Sequence, residues 1–404
     1  MATVAPASLA FTNSGSAITK IKNLVVGVYN FELKVTDDDG LSAKDTVQIT
    51  VSGVSNSCAG NRTVVNAKLV PIGTLSQPRM GVVTATAGSK ILFAGGFFGV
   101  ANYLSTRVDI YDFVANTWSI AELSIQRQGM TATAIGNKIF IAGGYDPDNG
   151  NDFSRVDIYD AATNSWSTAE LSEARSYLAS ASVGDKVFFA GGSRWDNNSI
   201  VSTNRVDIYN NTTNTWSTSS LSEARSGLSA STAGNKIYFA GGRGESPVQH
   251  TSNRIDIYDA TTNSWSTSSL NEGKLLFPSI VVANKIYWAG GISSILPTGE
   301  IKSFQVEIRD INTQVSTLTC LSQLKSEFGA VLKGNEIVFF TGAPGDHPTS
   351  FDMYNILTDT WSIGALDQGV NYTGIIAVNN KIYVAGGSLS SGGGLSSQVW
   401  VLEW

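Results

Sequence analysis

"GNKIFIAGG", Gly136 to Gly144, returns almost unchanged as "GDKVFFAGG" (Gly184 to Gly192) and "GNKIYFAGG" (Gly234 to Gly242). Following the glycine pair along the chain gives Gly95-Gly96, Gly143-Gly144, Gly191-Gly192, Gly241-Gly242, Gly290-Gly291 and Gly386-Gly387, with a worn copy, "FFTGA", around Gly342. Successive copies lie about fifty residues apart, a period that belongs to repeat architectures such as propeller blades.

Other landmarks keep step with the glycines. Each pair is followed by a segment such as "RVDIYD" at Arg107 and Arg155, "RVDIYN" at Arg205 or "RIDIYD" at Arg254, and then by a polar turn and a tryptophan: Trp118, Trp166, Trp216, Trp265 and Trp361. Val315 stands in the fifth unit instead. Val and Ile alternating with Asp and Tyr give the two-residue period of a strand, and no stretch sustains a helical period. Each unit therefore predicts four short strands separated by turn residues. A glycine weakens a strand unless another backbone or a bulky ring must approach closely, so the pairs predict sheets packed face to face around an axis, with Tyr and Trp filling the wedges. A fully buried Trp removes about 150 to 250 Å² from water, at most roughly 4 to 6 kcal/mol. Its loss at Val315 predicts that the fifth unit is the least well packed.

The double glycine, the later Tyr and the Trp in step resemble the kelch repeat over about residues 63 to 404. The resemblance implies an all-β, seven-bladed kelch-type β-propeller of four-stranded blades. The last unit stops at its third strand, "VWVLEW", while "NAKLVPIGTLSQPRMG" (Asn66 to Gly81) aligns with the end of the first unit, "NTWSIAELSIQRQG" (Asn116 to Gly129). The N-terminal segment is thus expected to supply the outer strand of the seventh blade. Residues 1–53 differ: "GVYNFELKVTDDDGLSAKDTVQITV" (Gly27 to Val51) reads as two alternating strands around an Asp-Gly turn and resembles the last hairpin of a PKD-type immunoglobulin-like domain, an incomplete one. Residues 54–62 read as a linker.

Charged residues make up only 15% of the chain, well below the roughly 25% of average proteins. With Ser, Thr, Asn and Gly in their place, this is the composition of an extracellular β protein, and a secreted or surface-attached bacterial module of a longer, monomeric chain is expected. The net charge of -6 argues against a nucleic-acid partner, which needs a basic face. No run of eighteen apolar residues spans a membrane, and "MATVAPASLAF" lacks the basic start of a signal peptide. Of the two cysteines, Cys58 falls in the linker and Cys320 after an outer strand near the opposite face, so two free thiols are the simpler expectation and a Cys58–Cys320 disulfide is the alternative.

Kelch resemblance implies binding through the loops between second and third strands and between blades. Those loops differ from one another and carry Phe97, Phe98, Tyr103, Tyr145 and Trp195, as expected of function carried on a rigid scaffold. Just before each first strand stand Arg79, Arg127, Arg175, Arg225, Lys274 and Lys325, with the seventh unit breaking the pattern at Gln368. Converging at the channel mouth they would form an anion site. Their alternative role is structural, with Glu173 and Glu223 placed to pair with them. Arg107, Arg155, Arg205 and Arg254 share a strand face with Asp109, Asp157, Asp207 and Asp256 and are expected to pair there. Asp146, Asp148 and Asp152 alternate around a glycine and are a weak calcium candidate; no other cofactor is expected.

Catalysis has less support. Galactose oxidase, the copper enzyme of the superfamily, uses two His and a Cys-modified Tyr; His250 and His347 lie in polar loops, and neither Cys adjoins a suitable strand. No nucleophile setting is recognisable. The leading expectation is non-catalytic recognition of a polypeptide or glycan by the loop face. The alternatives are a mutarotase-like enzyme on acidic sugars with Glu245, Glu300 or Glu327 as base, and a spacer without ligand.

Overall fold

The computed structural model describes residues 10–12, 20–22, 27–51, 60, 62–99, 103–196, 199–245, 249–296, 299–340, 349–389 and 394–404, and every regular element among them is a β-strand. Two compact units divide the chain, Met1–Gly60 and Asn61–Trp404. The expected linker lies mostly outside the described residues.

In the first unit Gly27–Thr36 pairs with Ser42–Val51. Asp37 builds the turn: its carboxylate accepts the Asp39 and Leu41 amides at 3.1 and 2.8 Å. Strict alternation puts Tyr29, Phe31, Leu33 and Val35 on one face of the hairpin and Asn30, Glu32 and Lys34 on the other. Leu33 and Val35 are exposed, so this hairpin is one layer of the kind of domain that normally needs two.

The second unit is a ring of four-stranded antiparallel sheets. From the axis outward, blade 1 is Val83–Ala87, Lys90–Ala94, Arg107–Asp112 and Thr117–Glu122. Blade 2 is Thr131–Ile135, Lys138–Ala142, Arg155–Asp160 and Ser165–Glu170. Blades 3, 4 and 5 repeat the plan over 179–220, 229–269 and 279–320, and blade 6 over 329–366. Blade 7 takes Gly374–Val378, Lys381–Ala385 and Gln398–Glu403 from the C-terminal side and Thr63–Thr74 from the N-terminal side. The first strands touch in sequence around the axis and that of blade 7 touches that of blade 1, where Thr84 Oγ1 donates to the Ile375 carbonyl at 3.0 Å. The ring has seven blades.

The N-terminal strand does more than the sequence predicts. Lys68 to Thr74 pair antiparallel with blade 7, as expected, while Thr63 to Ala67 pair in parallel with the outer strand of blade 6. Pro71 sits at a bulge opposite Trp400, where its missing N–H breaks no regular ladder. Arg62 fixes the entry to this strand: its guanidinium donates to Asp352 and to the Cys320 carbonyl, each at 2.6 Å, and lies over the Trp361 ring. Cys320 is disulfide-bonded, which corrects the expectation of free thiols; Cys58 lies outside the described residues.

The glycine pair serves a backbone contact between blades. Gly242 donates its N–H to the carbonyl of Lys274, at the entry to the next blade, at 2.7 Å, and a Cβ on Gly241 would lie 2.4 Å from that same oxygen. Both glycines have positive φ, which only glycine adopts without strain.

The aromatic rings fill the wedges as expected, although the tryptophans are half-buried. Tyr159 and Trp166 lie 5.0 Å apart, and the equivalent pairs 4.7 to 5.3 Å. Each pair leans on the preceding blade, as Tyr258 does on Phe188 at 4.5 Å. Blade 5 departs from the expectation of poor packing. Val315 is exposed, but Trp288 on the second strand is fully buried, and Arg309, in place of the tyrosine, lies over its ring and donates to Ser268 and Ser269 of blade 4. The missing volume is supplied from two other strands.

This wedge account predicts that Trp166→Ala and Trp288→Ala each destabilise the propeller by about 3 kcal/mol or more, whereas Val315→Ala shifts it by less than about 0.5 kcal/mol. Urea unfolding of the three variants measures this; equal losses at Trp166 and Val315 would refute it.

Candidate functional site

The six cations do not form an open anion ring. Arg79, Arg127, Arg175, Arg225 and Lys274 are fully buried and Lys325 nearly so. Arg127 is representative: it donates to Asp157 at 2.7 Å and to the carbonyls of Gly143, Ile125 and Ile141. Arg79, Arg175 and Arg225 pair likewise with Asp109, Asp207 and Asp256. The other oxygen of each carboxylate accepts a loop amide, that of Ser124 for Asp157 and of Ser222 for Asp256. These guanidinium groups spend their hydrogen bonds inside the propeller wall, because a buried charge must find its partners there. Burial pulls these arginines below their ordinary pKa, and the partner carboxylates oppose it.

The partners expected for other charges are corrected too. Arg107 and Arg155 pair with Glu122 and Glu170 on the adjacent outer strand, not with the aspartates, and Arg205 and Arg254 are exposed. Glu173 pairs chiefly with Arg194, whereas Glu223 keeps the expected pairing with Arg225, at 3.9 Å, and also bonds His250 at 2.8 Å. Blades 5 and 6 vary the theme: Lys274 meets Glu272 while Glu307 meets Arg309, and Asp352 receives both Lys325 and Arg62. Blade 7 abandons it. The position equivalent to the cation is Val370 rather than Gln368, the aspartate's place is taken by Trp400, and both belong to one apolar cluster.

Two residues after each cation the backbone turns into the left-handed region, at Gly81, Gly129, Tyr177, Gly227, Leu276, Glu327 and Tyr372, with φ between 51° and 67°. These seven surround the central channel, a cavity of about 340 Å³. Their backbones bond around it: Tyr177 N–H donates to Gly129, Gly227 to Tyr177, Leu276 to Gly227 and Glu327 to Leu276, at 2.9 to 3.0 Å. Glycine holds this conformation at no cost, whereas each other residue gives up about 1 kcal/mol. Sequence reasoning missed the Tyr, Leu and Tyr at this position. The signal was there, since "RMG", "RQG" and "RSG" become "RSY", "KLL", "KSE" and "VNY".

Four side chains therefore project into the mouth on one side. Beside them a second cleft of about 270 Å³ opens between the blades 2 to 5 loops, lined by Tyr145, Tyr177, Trp195, Leu276, Glu300 and Glu327 among others. Tyr145 and Tyr177 pack with ring centroids 5.7 Å apart and planes tilted by 41°, their hydroxyls 3.3 Å apart. Desolvation and the Tyr145 hydroxyl hold Tyr177 well above the ordinary tyrosine pKa, and desolvation pushes Tyr372 up to about 12; both are neutral hydroxyls, not phenolate bases. Burial, then the charge of Glu300, raises the Glu327 carboxyl, which Lys302 opposes.

The loop aromatics divide. Tyr145 and Trp195 line the cleft; Phe97 stacks on Tyr372 at the channel; Phe98 and Tyr103 pair away from it in the blade 1 loop. Glu245 is taken by Arg243 at 2.9 Å, and His347 lies outside the described residues. The calcium candidates do not converge. Asp146 accepts from Asp148 and Asn149 within its own turn, while Asp152 accepts the Ser176 hydroxyl and the Trp195 amide. No group of three potential metal ligands occurs among the described residues. Asp152 thereby positions Trp195.

Comparison with known proteins agrees with this architecture. The KLHDC2/KLHL20/DRC7 kelch-repeats domain matches residues 61–223 and 129–278. The chain belongs to the kelch-repeat family. Residues 2–51 match a PKD domain, so the kelch propeller follows a partial PKD segment. No curated protein matches the chain significantly. A solved structure titled "Structure of YjhT" aligns with 81% of this chain and 95% of its own at 15% identity and a TM-score of 0.50, a likeness of fold. No described helix is long and apolar enough to cross a membrane. A kelch propeller is a scaffold for protein interaction.

The buried pairs and the left-handed turns each have a measurable consequence. Arg127→Met or Asp157→Leu alone costs about 3 to 5 kcal/mol by stranding a buried charge, while the double variant, imitating the Val370–Trp400 arrangement, recovers most of it; chemical denaturation of the three decides, and additive losses would sink the pairing. Tyr177→Gly relieves the left-handed backbone and leaves stability unchanged or up to about 1 kcal/mol higher; a marked drop in Tm would show that the ring, not the function, needs Tyr177.

Proposed function

We propose that this kelch propeller is a non-catalytic recognition module of a secreted or cell-surface protein and that it binds a polypeptide or glycan at the channel mouth. The observation that carries the reading is the cleft itself: Tyr177, Leu276 and Glu327 line it from turns where three other blades keep glycine, with Tyr145 and the half-exposed Trp195 beside them. Strained backbone retained at a cleft is a mark of function, and Tyr and Trp supply rigid contact area with a polar edge. The disulfide at Cys320 and the low charge content support an oxidising, extracellular setting.

A second reading, an enzyme acting on acidic sugars, draws support from the raised carboxyl of Glu327 beside Glu300, the setting of a general acid or base. It requires Arg194 or Arg243 to leave its carboxylate partner to receive the sugar's acid group.

Glycan arrays and a peptide library, followed by calorimetry on the hits, test the first reading. Trp195→Ala and Tyr177→Ala each weaken binding by about tenfold, the loss expected for an aromatic anchor worth about 1.4 kcal/mol. A ligand bound equally by both variants would place recognition elsewhere. Turnover of acidic-sugar anomers that vanishes in Glu327→Gln would favour the enzyme.

A further inference from the structure

We propose that the mouth takes a cation: a lysine or arginine side chain presented by a polypeptide. This rests on the reading above that the mouth binds a ligand, and it reverses the polarity suggested by the ring of basic residues.

The charges around the cleft are unbalanced in one direction. Arg194 is held by Glu173 and Arg243 by Glu245, so neither arginine presents a free guanidinium. Glu300 and Glu327 line the same cleft, and neither side-chain carboxylate has a hydrogen-bond or ion-pair partner among the described residues. Lys302 acts on Glu327 only through its field. Two neighbouring carboxylates in a partly desolvated cleft repel each other, and a ligand cation between them removes that repulsion.

The walls suit the same guest. Tyr177, Tyr145 and Trp195 offer aromatic faces, which attract an ammonium or guanidinium by about 0.5 to 2 kcal/mol according to its desolvation. Leu276 and Ile295 line the cleft as well and match the apolar stem of a long basic side chain. The cleft and the channel share Tyr177, Gly227, Leu276 and Glu327, so an extended side chain entering past Trp195 finds room beyond the carboxylates. Glu327 occupies a turn position at which three blades keep glycine and where a side chain strains the backbone. A carboxylate there contributes nothing to the ring's own hydrogen bonds, which run through the backbone.

End-blocked five-residue glycine peptides with a central lysine, arginine, norleucine or glutamate test the proposal by calorimetry on the full chain, with cadaverine as the free amine. The lysine and arginine peptides bind about tenfold more tightly than norleucine, a preference of about 1.4 kcal/mol, and added salt erodes it. Glu327→Gln and Glu300→Gln each cut the preference, and the double variant abolishes it. Glu300 is exposed, so its variant keeps the test alive should Glu327→Gln fail to fold. Cadaverine matching the lysine peptide would overturn the polypeptide source. Norleucine binding as well as lysine, glutamate binding more tightly, or an undiminished preference in the Gln variants would overturn the cation. Trp195-dependent binding of a neutral glycan without the lysine preference would sink this inference and leave the recognition reading standing, whereas no Trp195-dependent binding of any probe would sink both.

Discussion

The propeller hangs on one residue used twice. The arginine at the entry to each of the first four blades sends its side chain to the aspartate of its own third strand, and at Arg79, Arg175 and Arg225 the backbone carbonyl also meets the glycine pair of the blade before, as Arg175 O receives Gly144 N–H at 2.9 Å. Side chain and main chain of a single position therefore set both the internal register of a blade and its distance from the neighbour. The glycines are the other half of this contact, since a Cβ on Gly143 would lie 2.5 Å from the same oxygen. Blade 7 shows how far the arrangement can be altered. There Val370 and Trp400 fill the space with apolar volume, while Gly387 still donates to the Arg79 carbonyl at 2.9 Å. That contact belongs to Arg79, which keeps its ion pair with Asp109, so the ring closes on both halves of the same arginine.

Much of this was legible because it is backbone geometry written at a fixed period. Gly143-Gly144, Tyr159 and Trp166 have counterparts in most blades, and the strand that completes blade 7 could be found by aligning "NAKLVPIG" with the end of the first unit. Environment was less legible than register. The position of Arg127 is evident from the sequence, yet its partner Asp157 lies thirty residues away, and whether the guanidinium points to the axis or into the sheet depends on a pairing that spacing does not encode. Blade 5 misled for a similar reason: Val315 marks a missing ring, but Trp288 and Arg309 restore the volume from strands with a different place in the repeat. Three mouth residues were overlooked because attention fell on long loops, whereas Tyr177, Leu276 and Tyr372, like Glu327, sit on the short turn every unit shares.

Those four residues break the symmetry of an otherwise regular ring. Three turns retain glycine and four carry side chains, and three of those four, at the entries to blades 3, 5 and 6, border the lateral cleft. A repeat protein gains a site in this way without disturbing its scaffold. The hydrogen bonds around the channel use N–H and C=O groups alone, so side chains at those positions are free to vary, at the cost of local strain.

The strand Thr63–Thr74 carries an implication for the order in which the molecule is assembled. It is the earliest piece of the ring to be synthesised and among the last to find its place, because its partners are residues 362–366 and 398–403. Blades 1 to 5 are built from contiguous sequence and are able to form as the chain emerges, whereas the outer edges of blades 6 and 7 wait for a contact spanning about three hundred residues or more. Such long-range pairing is entropically slow. Until it is made, the chain is an open arc with two unpaired sheet edges, at blade 6 and at blade 7, and such edges invite pairing with another chain. Once it is made, Arg62 holds the start of the strand through Asp352 of blade 6 and the Cys320 carbonyl of blade 5.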